Sequence, residues 1–128
     1  MNKYLLICGG FINLLLAGFH LSFWKIFNWP ESLVSLSPVN LGIMQVINIH
    51  LAFVVLVFAY VSIFCHRELL STKLGKSIVV SIILFYILRG INQLIFWDII
   101  MPNSVLITLF CIFVAGIYAK ALPIRIQK

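Results

Sequence analysis

Long apolar runs interrupted at three places dominate the chain. The runs cover Tyr4 to Phe27, Leu41 to Cys65, Ser77 to Trp97 and Ser104 to Leu122. Each comes close to the ~20 consecutive apolar residues that a helix rising 1.5 Å per residue needs to cross the hydrocarbon core of a bilayer. The first connection, Asn28 to Asn40, carries Trp29-Pro30 and Pro38 among scattered Leu and Val, and is expected to lie along the membrane interface. The second, His66 to Lys76, is short and charged. The third, Asp98 to Asn103, contains Pro102-Asn103 and predicts a tight turn, while Pro123 ends the last helix. The pattern predicts an all-α fold, a four-transmembrane-helix antiparallel bundle in a single domain over residues 1–128.

Winding each run at about 100° per residue shows which side it turns inward. Gly9, Asn13, Ala17 and His20 share a face of the first run; Asn48, Ala52, Val55, Ala59, Ser62 and His66 share one in the second. In the third, Arg89, Asn92 and Gln93 fall within one arc with Ser81 nearby; in the fourth, Ser104, Thr108, Cys111, Ala115 and Ala119 align. Small residues let helices approach closely in lipid, where packing rather than water exclusion drives association. These four stripes are the expected bundle interior.

Composition strengthens the membrane reading and removes alternatives. Of the 128 residues 63% are hydrophobic and 9% charged, and the mean hydropathy is +1.17. A single small core could not bury so much apolar surface. The net charge of +6 comes without a basic helix face or an aromatic-interleaved basic run, which argues against nucleic acid. Cys8, Cys65 and Cys111 stand alone in separate runs, with no CxxC pair for redox or metal chemistry. Lys3 followed by an apolar run resembles a signal peptide, but the run has no A-x-A cleavage pattern and is expected to stay as a helix.

Charge placement predicts orientation, because positively charged segments are retained in the cytoplasm. Lys3, Arg67, Lys73, Lys76, Lys120, Arg125 and Lys128 fall on one side and Lys25 alone on the other. Both termini are therefore expected to be cytoplasmic. Trp24, Trp29 and Trp97 would form the outer aromatic belt.

Depth picks out candidate chemistry. Counted inward from the outer ends, His20, Asn48, Asn92, Gln93 and Thr108 come out roughly 7 to 11 Å deep, with His50 and Arg89 near ~13 Å. No Asp or Glu lies within a run. A charge unpaired at that depth costs at least ~2.5 kcal/mol, so Arg89 needs amide oxygens, carbonyls, water or a ligand as partner. His20, Asn48, Arg89, Asn92 and Gln93 make up the candidate site, rich in donors and suited to a carbonyl, a quinone or an anionic head group. Interhelical hydrogen bonding is the competing role for the same side chains.

Two function classes follow. One is a non-catalytic protein, either a membrane-complex subunit or a binder of a small lipophilic or anionic ligand. The other is a small membrane enzyme acting on an isoprenoid or quinone-like substrate, with His20 as acid or base and Arg89 polarising an oxygen. No metal site and no cofactor is expected, haem b between His20 and His50 being a minority alternative, because His50 lies about 200° round its helix from Asn48. The chain has the size of the small multidrug exporters but lacks their glutamate in the first helix, and it lacks the motifs of the small fluoride channels; a transport pathway would need an oligomer. Nucleotide-binding and Ser-His-Asp motifs are absent from the sequence. Expected partners are the lipid bilayer, a lipophilic ligand, and further copies of the chain or another membrane protein.

The stretches FINLLLAGFHLSFWKIFNW, LSPVNLGIMQVINIHL and LGKSIVVSIILFYILRGINQLIFW resemble a group of small four-helix bacterial integral membrane proteins with no assigned activity. The resemblance extends over nearly the whole chain. It implies the four-span topology and a bacterial inner-membrane location, and assigns no residue a role.

Overall fold

The computed structural model describes residues 2–96 and 102–122. Its elements are α1 (Asn2–Leu21), α2 (Phe23–Ile26), a 3-10 turn (Glu31–Leu33), α3 (Pro38–Phe64), α4 (His66–Ser71), α5 (Lys73–Phe96) and α6 (Pro102–Ala121). Four of these helices, α1, α3, α5 and α6, are long and apolar enough to cross a membrane, so the chain is a multi-pass membrane protein with an all-α bundle fold.

Local signals set where each helix begins and ends. Ser37 is extended (ψ 152°) and its Oγ accepts from Asn40 N–H at 3.3 Å, with Pro38 as the first helical residue. Proline costs nothing there, since that position has no intrahelical partner for an N–H. The helix therefore starts three residues before the expected Leu41. Thr72 plays the same part for α5: its Oγ1 accepts from Gly75 N–H at 2.8 Å while donating to Glu68 O at 2.9 Å. This cap moves the start of α5 back from the expected Ser77 to Lys73. Gly75 packs directly on the backbone of Glu68 and Leu69, leaving no room for a Cβ at the α4–α5 corner.

Two loop expectations are corrected. Pro102-Asn103, expected to make a turn, instead forms the first residues of α6, another first-turn proline. The first run is not one helix to Phe27. It breaks at Ser22, whose hydroxyl donates to Gly18 O at 2.7 Å, and resumes as the short α2. Asn28, left-handed at φ 49°, ends α2, and Trp29 N–H returns to Trp24 O at 3.0 Å. The expected turn from Asp98, the belt residue Trp97, the stop at Pro123 and the cations Arg125 and Lys128 lie outside the described residues.

The bundle is two antiparallel hairpins. α1 packs along α3 and α5 along α6, and α1 against α6 joins the pairs. The apolar core lies in the half nearest α4, with Leu6, Leu69, Val79, Ile82, Val114 and Ala121 each at most 2% exposed. Lys3, Arg67, Lys73, Lys76 and Lys120 gather at this end, and Lys25 stands at the other, beside Trp24 and Trp29. Large side chains such as Leu15, Phe53, Leu84 and Phe113 cover the outside and are exposed, as lipid-facing residues are.

Three of the four inward stripes hold in their main members, and one is rotated. Gly9, Asn13 and Ala17 on α1 and Asn48, Ala52, Val55, Ala59 and Ser62 on α3 are buried. Ser104, Cys111 and Ala115 on α6 are buried too, although Ala119 is exposed. On α5 the buried stripe is Gly75, Val79, Ile82, Tyr86, Gly90 and Gln93. Ser81 and Asn92, expected inside, are exposed. The reason is packing. Gly90 sits over Cys111 and Thr108 of α6, at 3.5 and 3.8 Å from where a Cβ would be, so α5 turns its smallest residue to α6 and swings Asn92 outward.

Candidate functional site

Polar side chains inside the bundle form two groups. The first joins all four long helices, from about halfway along α1 and α5 to near the C-terminal ends of α3 and α6. The amide of Asn13 (α1) donates to Gly9 O at 2.8 Å and to the Tyr118 hydroxyl (α6) at 2.9 Å, and its Oδ1 accepts from the Tyr86 hydroxyl (α5) at 2.7 Å. Ser62 (α3) shares a 2.8 Å hydrogen bond with the same Tyr118 hydroxyl. All four side chains are at most 1% exposed, and no buried side-chain nitrogen or oxygen among the described residues lacks a partner. Gly9 makes the knot fit, because a Cβ there would come within 2.7 Å of the Tyr118 ring. Fully satisfied buried polar networks fix a packing arrangement, and this one has no free group to offer a ligand.

Sequence reasoning placed Asn13 and Ser62 on inward stripes but missed both tyrosines. The signal was available: Tyr86 precedes Gln93 by seven residues and Tyr118 follows Cys111 by seven, two turns along the same faces. A phenol counts as hydrophobic, yet its hydroxyl seeks a partner when buried.

The second group lies nearer the Trp24 end and contains the candidate residues. Asn48 Nδ2 donates to His20 O at 2.8 Å, and Asn48 Oδ1 stands 2.9 Å from His20 Nδ1. These contacts fix the protons. The backbone carbonyl can only accept, so the amide nitrogen must face it; Oδ1 then faces Nδ1, which must carry the hydrogen. His20 Nε2 is left without a partner among the described residues, a lone pair in the neutral ring and a donor in the protonated one. The ring is half-buried.

On the opposite hairpin, Arg89 Nη1 donates to Gln93 Oε1 at 2.7 Å. Gln93 Nε2 then faces Ser104 Oγ at 3.4 Å, and Ser104 Oγ donates at 3.4 Å to Gln93 O, both long and weak. Gln93 and Ser104 are fully buried, whereas Arg89 is only half-buried. The bond to Gln93, one turn closer to the helix end, pulls the guanidinium toward the Trp24 end, the direction a charge on a membrane helix is expected to take. A guanidinium has five N–H donors, and the one partner among the described residues is a neutral amide. The chain has three acids: Glu31 in the 3-10 turn, Glu68 on α4, and Asp98 outside the described residues.

The five candidate residues thus separate. His20 and Asn48 pair across α1 and α3, Arg89 and Gln93 pair along α5, and Asn92 is on the exposed flank of α5. His50 is exposed on α3 and its ring N–H donates to Val46 O at 2.8 Å, so it does not face His20 across the bundle. The described residues contain no group of three or more His, Cys, Asp or Glu that could hold a metal ion. The Trp24 end is closed by aromatic rings: Phe23 meets His20, Phe27 and Trp29 at centroid distances of 4.8, 4.8 and 5.6 Å, and Trp24 Nε1 donates to Gln45 Oε1 at 3.1 Å.

Comparison with family models, with characterised proteins and with solved structures gave no match to this chain.

Proposed function

We propose that this is a non-catalytic inner-membrane protein that binds a small lipophilic ligand with an anionic or carbonyl head, held in the outer half of the bundle by Arg89, with the His20–Asn48 pair on the other hairpin. One observation carries the reading: a half-buried guanidinium inside a helix whose partner among the described residues is a single neutral amide oxygen. Intramembrane cations pair or mark a binding pathway, and the remaining N–H donors of Arg89 meet no further acceptor among the described residues. Native mass spectrometry of the gently solubilised protein is expected to show a retained ligand that Arg89→Gln releases. Identical ligand content in both proteins would refute the reading.

The distribution of basic residues supports cytoplasmic termini: five cluster at the end that holds the α1 N-terminus, the α4–α5 corner and the end of α6. The Trp24 end then faces outward. An alkaline-phosphatase fusion after Lys128 should be inactive, and one inserted after Ser35 should be active.

The unpartnered Nε2 of His20 favours a second reading, a small enzyme on an isoprenoid or quinone-like substrate. Nε2 would move the proton while Arg89 stabilises charge on a substrate oxygen. Such an enzyme would convert a lipid extract that the His20→Gln protein leaves unchanged.

A further inference from the structure

The two hairpins do not close evenly. α1 and α6 pack together along the bundle, but α3 and α5 barely approach each other. The aromatic contact between them is Phe58 against Phe85, ring centroids 5.2 Å apart and nearly perpendicular. Beyond that pair, toward the Trp24 end, the residues that continue each helix flank are known from the helical repeat. On α3, which runs away from that end, Val54 and Leu51 follow Phe58 by one and two turns. On α5, which runs toward it, Arg89 and Asn92 follow Phe85 by one and two turns. Val54, Leu51 and Arg89 are half-buried and Asn92 is exposed, as the walls of an open cleft would be. The α3 wall is hollowed into a shallow groove of about 370 Å³ lined by Val46, Ile47, His50, Leu51 and Val54. The α3 wall is thus apolar apart from His50 and the α5 wall carries a cation and an amide, with the Phe58–Phe85 pair beneath.

This juxtaposition matches an amphiphile lying upright in the membrane. We propose that the cleft between α3 and α5 is a lateral binding site for an anionic glycerophospholipid, with an acyl chain along Leu51 and Val54 and the phosphate on Arg89. The inference rests on Arg89 being a ligand contact and adds the ligand class and the side of entry. Charge complementarity selects the occupant. The flank offers Asn92 and Arg89, whose one partner among the described residues is the Gln93 amide, and neither α3 nor α5 contains a carboxylate to oppose a phosphate. Arg89 lies about 10 Å below the end of α5 at Phe96. Its guanidinium points back toward that end, bonded to Gln93, which brings it within a side chain's length of the head-group level. A second hollow, about 270 Å³ between α1 and α6, is lined by Ile12, Leu15, Leu16, Phe19 and Phe110. It contains no polar group to hold a head and serves as the control.

The test measures binding of dioleoylphosphatidylglycerol to the full-length protein in mild detergent, with dioleoylphosphatidylcholine as the zwitterionic comparison. Wild type and Leu15→Trp are expected to bind phosphatidylglycerol alike and in preference to phosphatidylcholine. Leu51→Trp, which fills the groove, and Arg89→Gln should each weaken binding about tenfold or more. Ile47→Trp, on the exposed lip of the same groove, replaces Leu51→Trp if that protein does not fold. Normal binding by the groove-filling protein, with loss only in Arg89→Gln, would overturn the cleft while leaving Arg89 as a ligand contact. Normal binding by both would overturn both readings. Loss in Leu15→Trp matching that in Leu51→Trp, or equal binding of the two lipids, would also overturn the proposal.

Discussion

The knot of Asn13, Ser62, Tyr86 and Tyr118 and the group of His20, Asn48, Arg89 and Gln93 use similar chemistry in one bundle, and they differ in closure. Every polar atom of the knot is buried and paired, and its bonds cross between all four long helices. The second group stays split between the two hairpins, is partly exposed, and contains a charge whose one partner among the described residues is a neutral amide. The difference separates two uses of polarity in lipid. Neutral groups that satisfy one another hold helices in register, whereas a cation that meets only a neutral amide among the described residues leaves a demand that a ligand can meet.

Substitutions can break or sharpen this contrast. Asn13→Leu keeps the branched outline but strands the Tyr86 hydroxyl and leaves Tyr118 with Ser62 alone, and should cost the largest amount, about 2–4 kcal/mol, in an equilibrium unfolding titration in mixed micelles. Gly9→Ala forces the Tyr118 ring to move and should cost about 1–3 kcal/mol by the same measurement. Tyr118→Phe removes a hydroxyl that Asn13 and Ser62 share and should cost about 1 kcal/mol. Arg89→Gln should lie within about 1 kcal/mol of wild type when no lipid is added, because the guanidinium makes one hydrogen bond to a neutral amide and a neutral side chain removes a charge from the span. A loss of about 3 kcal/mol or more in Arg89→Gln without lipid would mean that Arg89 is structural, and the contrast would disappear.

Much of this was legible in the chain. Run length and polarity gave the four helices, since lipid leaves a spanning segment no other way to satisfy its backbone. The helix starts were misjudged by a few residues because Ser37-Pro38 and Thr72 are capping signals placed in polar stretches that read as loop. Asn92 was misplaced because three polar residues in one arc looked like an inward face. The face of α5 is instead set by which residue lets α6 approach, and Gly90 outweighs Asn92 in that respect. Periodicity placed His20 and Asn48 on facing stripes, but only coordinates show that their side chains and backbone bond twice. The knot was half visible, its tyrosines hidden among the aromatic residues.

The most direct test is a crossed comparison of thermal unfolding midpoints for Asn13→Leu and Arg89→Gln, each with and without added phosphatidylglycerol. The account predicts that Asn13→Leu unfolds at a much lower temperature but keeps the full upward shift given by the lipid, while Arg89→Gln keeps its starting midpoint and loses the shift. If the two proteins instead lose midpoint and lipid response together, the polar groups act as one structural unit and the division between a closed knot and an open site is wrong.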